Sequence, residues 1–502
     1  MPRTASPKSL IRTVVIALAL FGLAQPAQAR WLRAESPRFV VYSDGDPVTL
    51  RDYVARLEAF DATLRFIHGL PLSEVPPRKL DAYMVRDNDE LKQIDPRMGG
   101  LVAGFYSAGD QDVFAVAVRM RGDDSTEQHE YTHHFMMQYF PYGYPAWLVE
   151  GYAEYFMTTT IDGQTVEVGK PGWRGDEMTH EHWLPLSILL TKGPSSVTDV
   201  QVSAFYGEAW VLTHYLMSDP ARYRQLQAYM KAVGDGADPA AAMETVTGKT
   251  LAELQKTLES YLLGEMKYQR LKRSGFAQPP ITNTELPPSA NDLLFLHQRL
   301  MLGALDAEKA DLLAKVRGLT ARWPDDRLSQ IVRGHAEIDY GDRAAGEAVL
   351  TARLAKSPDD VEALQLLARS RMAAGDADPA RRTELYHQAG GFLTQAYKLD
   401  PNDYRTVYAY ALTRTVDPGF PTENTLTAML EAHALAPQVG DISLNTAQAL
   451  MVRGRFDEAE GLLKPIANDP HGGGLATAAR AMMETVRKAR TRGGAVSGSG
   501  GG

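Results

Sequence analysis

The sequence predicts an α+β domain followed by an α-helical repeat solenoid. Three observations carry this. Strand-like runs are confined to the first quarter of the chain, a helix with histidines four apart follows them, and prolines return at near-constant intervals through the second half. With 502 residues there is room for about three domains. Hydrophobic residues at 44% and charged residues at 23% are ordinary globular usage, which argues against wholesale disorder and against a polytopic membrane protein. The balance of 53 Lys and Arg against 62 Asp and Glu disfavours a partner held through phosphates, so no nucleic acid is expected.

Residues 1–29 read as a secretory signal. Arg3, Lys8 and Arg12 supply the positive region, Val14 to Ala24 the apolar core, and Ala27-Gln28-Ala29 a small-x-small cleavage site. The apolar run is well short of the ~20 residues that span a bilayer, so no stable membrane insertion is expected. Cleavage leaves 50 basic against 62 acidic residues, a sign that also disfavours anionic lipid. With no cysteine in the chain, disulfides and thiolate metal sites are excluded, and an exported chain of this kind is expected to be periplasmic or secreted.

From Arg30 to about residue 273 the pattern is mixed. Arg38 to Tyr42 reads as a strand, Val48 to His68 as a helix and Lys79 to Val85 as a second strand. Val102 to Tyr106 and Val113 to Val118 flank the turn Ala108-Gly109-Asp110 and predict a hairpin. Next comes Ser125-Thr126-Glu127-Gln128-His129-Glu130-Tyr131-Thr132-His133, where Ser125 and Gln128 form a capping box that starts a helix running towards Tyr139. On it His129 and His133 project from one face, so both imidazoles reach one ion, while Glu130 lies about 100° round, beside the ion. That is the H-E-x-x-H arrangement of zinc-dependent hydrolases, with Glu130 placed as a general base.

Catalytic zinc needs a third protein ligand and a position left for water. Pro145 opens a second helix on which Glu150 and Glu154 share a face, and 17 residues from His133 to Glu150 are enough for an antiparallel return. Two carboxylates on a buried face call for a cation opposite them.

Here the chain resembles the gluzincin metallopeptidases of the peptidase-MA-like type, in which H-E-x-x-H is followed by Trp-Leu-x-Glu-Gly-x-Ala-Glu-Tyr, matched by Trp147 to Tyr155. The likeness extends to Phe39-Val40-Val41-Tyr42, Trp183-Leu184-Pro185-Leu186 and Phe205 to Trp210. It implies a gluzincin-like fold, a Zn2+ cofactor held by His129, His133 and Glu150, Glu130 as catalytic base, Glu154 orienting a ligand histidine, and a peptide or protein substrate. It also implies an oxyanion donor downstream of Glu150, for which Tyr206 is the first candidate and His214 the second; an ordinary core aromatic is the other reading of Tyr206. His134 points off the metal face and takes a structural or solvent role, and His180 and His182 fall in a polar surface stretch. The resemblance makes Val113 to Val118 an edge strand that receives substrate backbone, the alternative being an internal strand. The stretch from Thr158 to Ser196 is long enough to serve as a lid.

Residues 274–291, with four prolines, read as a linker. Beyond it Pro324, Pro358, Pro401, Pro437 and Pro470 follow one another at 34, 43, 36 and 33 residues. This period resembles the tetratricopeptide repeat, most clearly from Ala447 to Pro470, where Ala447, Gly454 and Ala459 supply the small residues and Arg453-Gly454-Arg455-Phe456 the turn. Three to five repeats are expected over residues 292–489, with an insertion between Ala377 and Glu384, and they imply a groove for a protein partner. The Gly- and Ser-rich tail, 490–502, is expected to be disordered. The rival to a peptidase is an envelope scaffold acting through its repeats, with an inactive or merely structural metal site.

Overall fold

The computed structural model describes residues 30–98, 102–120, 124–178, 182–272, 279–469 and 471–497. The expected signal segment, His180 and residues 498–502 lie outside them. The fold is mixed α+β, with a sheet in the N-terminal half and paired helices in the C-terminal half.

Strands β1 (Leu32–Glu35), β2 (Phe39–Ser43), β3 (Leu80–Val85), β4 (Gly104–Ala108) and β5 (Val113–Val118), joined by β9 (Thr282–Glu285), build a six-stranded sheet in the order β4-β5-β3-β2-β1-β9. Helix α1 (Pro47–His68) crosses from β2 to the parallel β3. Asp46 caps its start by accepting from the Thr49 amide at 2.8 Å, and Gly69 at φ +68° ends it in the left-handed region where a side chain is strained. Leu50, Val54, Leu57, Phe60 and Leu64 form its buried stripe against the sheet. The short α2 (Asn88–Ile94) precedes the β4–β5 hairpin.

Two expectations are corrected here. Val113 to Val118 is internal, antiparallel to β4 and parallel to β3, so the edge strand is β4. And the stretch expected as a linker supplies β9, which pairs antiparallel with β1, Glu35 opposite Thr282.

Helices α3 (Ser125–Tyr139) and α4 (Ala146–Met157) lie beneath the sheet. The segment expected as a lid is structured instead, holding β6 (Thr160–Ile161), β7 (Thr165–Val168), α5 (Trp173–Met178) and α6 (Leu186–Thr191), with Val166, Val168, Leu184 and Leu186 in the core. Next come α7 (Asp199–Met217), α8 (Pro220–Gly234), α9 (Pro239–Thr247) and α10 (Leu251–Leu262), and β8 (Gln269–Lys272) closes a small sheet with β7 and β6.

The helical array is a run of antiparallel pairs: α11 (Ala290–Leu302) with α12 (Lys309–Thr320), α13 (Arg327–Tyr340) with α14 (Arg343–Lys356), α15 (Val361–Ala377) with α16 (Arg382–Leu399), α17 (Tyr404–Thr413) with α18 (Glu423–Leu435), and α19 (Gly440–Val452) with α20 (Phe456–Asn468). Pro324, Pro358, Pro401 and Pro437 each follow the second helix of a pair, where a proline stops the helix without costing a hydrogen bond. The extra residues of the 43-residue interval do not form an insertion; they lengthen α15 and α16 to 17 and 18 residues, against 14 each in α13 and α14. Gly454 takes φ +73° in its tight turn, and Ala447 and Ala459 are fully buried. A last helix, α21 (Gly473–Ser497), runs through most of the tail expected to be disordered.

The array is not a separate body. Tyr404, Val407, Tyr408, Ala432, Val439 and Ile442 share one buried cluster with Trp147, Phe205 and Trp210 of the N-terminal half, and the Tyr404 hydroxyl donates to Gly109 O at the hairpin turn, 2.9 Å.

Candidate metal centre

Helix α3 is held in place by a buried charge network. Asp61 on α1 accepts from the Tyr131 hydroxyl at 2.7 Å and pairs with Arg65 at 2.9 Å and Arg38 at 2.8 Å, all of them out of solvent. The expected capping box is absent: Asp124 occupies the N-cap without a side-chain cap bond, because its carboxylate is taken by Arg56. Helix α4 is set by Gly151, where a β-carbon would stand 2.4 Å from both Ala209 O and Thr213 Oγ1 on α7. Only glycine permits that approach, and it presses Glu150 towards α3.

The result brings the predicted ligands together. His129 Nε2 and His133 Nε2 are 3.1 Å apart, and Glu150 Oε2 is 3.6 Å from the first and 3.5 Å from the second. Four ligands at zinc bond lengths in a tetrahedron are separated by about 3.3–3.4 Å, so these three atoms already have the spacing of one face. They form a group that could hold a metal ion. The donor chemistry fits as well: Glu150 is wholly buried, and among the described residues neither of its oxygens accepts a directed hydrogen bond although imidazoles stand within 3.6 Å. A carboxylate desolvated in that way demands positive charge.

The electrostatics agree. Burial opposes charge on His129, yet Glu150, Glu130 and Glu154 outweigh it and push its pKa up to about 9. Burial would raise Glu150, but His133, His129 and His471 hold it well below the usual carboxylate range.

Glu154 Oε1 lies 3.5 Å from His129 Nδ1, the nitrogen turned away from the ligand group, as an orienting carboxylate requires. Glu130 is partly exposed on the next position of α3. The Tyr206 ring stands 6.4 Å from that of His129, so α7 brings it to the site. His214 does not belong there: its Nε2 donates to Gly169 O and its Nδ1 accepts from the Tyr261 hydroxyl, both at 2.7 Å, and burial brings its pKa down to about 4. His134 is likewise structural, buried against the Tyr106 hydroxyl at 3.0 Å. His182 is exposed.

One residue at the centre escaped sequence reasoning. His471, between α20 and α21, brings its Nε2 to 2.7 Å from Glu150 Oε1 and its ring to 6.1 Å from that of His133. The punctuation Asp469-Pro470 marks the neighbouring position, but nothing local ties a histidine there to a helix so far back in the chain. Two cavities of about 1120 and 920 Å³ are lined in part by residues of α3, Phe135 and Met136 in the first and Ser125 and Gln128 in the second, and none of the three candidate ligands lines either.

The segment around Leu184 is tied to α7 by its amide, which donates to Glu208 Oε1. Glu208 is buried, its other oxygen finds no partner among the described residues, and burial pushes its pKa up to about 8. An unfolded glutamate releases its proton near about pH 4.3 whereas the folded one keeps it, so wild-type stability falls as pH rises through that window. Glu208→Gln keeps the acceptor and removes the titration. Its stability relative to wild type is expected to increase between about pH 5 and pH 8, read from urea midpoints at the two ends.

No family model matches the chain, and no curated protein matches it. Among solved structures it is similar to a thermophilic TPR protein of Thermus thermophilus, at 17% identity and a TM-score of 0.34 over 38% of this chain and 97% of that one. No helix among the described residues is long and apolar enough to cross a membrane.

Proposed function

We propose that the chain is an exported zinc-dependent metallopeptidase of gluzincin type, whose helical array recruits a protein substrate or partner. The observation that carries this is the ligand triangle of His129, His133 and Glu150 with Glu130 beside it. When bound, a zinc ion supplies Lewis acidity, polarising a peptide carbonyl and acidifying water. Glu130 takes a proton from the attacking water and returns it to the leaving nitrogen. Glu154 fixes the ring of His129, and Tyr206 is the candidate donor to the oxyanion. The edge strand β4 lies against α3, a β-carbon on Gly104 standing 3.0 Å from Thr126 Cγ2, and it offers the backbone edge to an extended substrate in place of β5. Export to a periplasm or beyond belongs to the same proposal and rests on the signal-like N-terminus.

The scaffold reading is favoured by one observation, the packing of the array into the N-terminal core. A retained Glu130 favours the enzyme, since a structural zinc site is closed by a fourth ligand and needs no base. The test is mass-spectrometric detection of cleavage in a mixed peptide library by zinc-loaded protein beside Glu130→Gln. Cleavage by wild type alone supports the peptidase; silence from both moves the function to the array, or to a gated enzyme whose repeats must first engage their partner.

A further inference from the structure

The array reaches the metal centre itself. Glu150 is fully buried, whereas the side chain of His471 keeps 58% of its surface exposed, so the histidine approaches the carboxylate from the solvent side. It does so on the oxygen opposite to the one facing His129 and His133: Oε1 meets His471 and Oε2 meets the other two. Its own amide is pinned by Asp469 Oδ1 at 2.8 Å. The helix that precedes it, α20, is fastened nearby, with Lys464 Nζ donating to Gly234 O at 3.0 Å and Asn468 Nδ2 donating to Gly143 O at 2.9 Å in the connection between α3 and α4. These contacts are polar. The apolar cluster shared with the N-terminal half ends at Ile442, and Ala459, Leu463, Ile466, Ala479 and Val486 of α20 and α21 pack in a separate one. Gly472, Gly473 at φ +46° and Gly474 follow the histidine directly, a backbone with little resistance to turning.

We propose that His471 is a latch: it fastens the distal end of the array to Glu150 and closes the metal centre, which opens when that end lifts. This rests on the metal-site reading above. The array is then the gate as well as the recruiting surface, and a protein bound along α19–α21 alters access to the centre. His471 is a positioning residue acting through Glu150.

The test reads access directly. Full-length protein is loaded with Co2+, and the rate at which EDTA strips it is followed by the cobalt absorption. His471→Ala removes the latch and is expected to release cobalt several-fold faster. The second variant closes it: a β-carbon on Gly143 would lie 3.0 Å from Lys464 Cβ, so Gly143→Cys/Lys464→Cys needs to part by less than about 1 Å to form a disulfide, the sole one in a chain without cysteine. Oxidised, it is expected to release cobalt several-fold more slowly than the same protein after dithiothreitol, a comparison within one folded variant. Both proteins binding one cobalt yet losing it at the wild-type rate overturns the latch and leaves the metal site standing. Wild type taking up no cobalt removes the metal-site reading, and the latch with it.

Discussion

On the proposed peptidase reading, Glu130→Gln is expected to lower peptide hydrolysis about a hundred- to ten-thousand-fold and to leave metal uptake intact. The amide matches the carboxylate in shape but cannot take a proton from attacking water. Uptake is expected to survive because the candidate group does not include Glu130: His129, His133 and Glu150 form the triangle, and Glu154 lies on the far side of His129. The pair of measurements is kcat on a peptide identified from the library and cobalt uptake by absorption. A variant that loses both places Glu130 among the ligands; one that keeps full activity removes it from the reaction.

Asp61→Ala is expected to cost about 3 kcal/mol, the low end for breaking a buried ion pair, because each arginine keeps a second carboxylate. It takes one carboxylate from two buried guanidinium groups, leaving Arg65 with Glu74 at 3.4 Å and Arg38 with Glu58 at 2.8 Å, and it takes the acceptor from the Tyr131 hydroxyl. Leaving a buried charge without its partner costs far more than the pair contributes. Tyr131 sits between the two ligand histidines on α3, so the loss also loosens the centre. Urea unfolding gives the first effect and weaker cobalt uptake the second; an unfolding midpoint within error of wild type would show that the network carries no weight.

The grouping of His129, His133 and Glu150 was legible in the sequence because each half of it is local. A spacing of four puts two side chains on one face of a helix wherever that helix lies, and the 17-residue interval fits an antiparallel return. Strand order is not local, and the edge assignment failed there. The continuous apolar run Val-Phe-Ala-Val-Ala-Val is the pattern of a strand covered on both faces, and that signal favoured an interior place for Val113 to Val118. The polar Thr-Asn-Thr-Glu of β9 gives no such signal, since an outer strand exposed to water has no apolar face to show. The capping box failed because the helix begins one residue earlier than the motif implies, with Asp124 rather than Ser125 at the N-cap, and His471 was missed because only tertiary packing brings it to Glu150.

The buried cluster that joins α17, α18 and α19 to the N-terminal half makes the chain's covalent continuity between residues 272 and 279 dispensable. A backbone cut there leaves a single particle, the two pieces held by Tyr404, Val407, Tyr408 and Ile442 on one side and the core around Trp147 and Trp210 on the other. Made apart, each piece presents to water the face its counterpart covers, a sticky surface that invites self-association. A single melting transition for the two halves, rather than two in turn, is therefore the expected result, read by calorimetry.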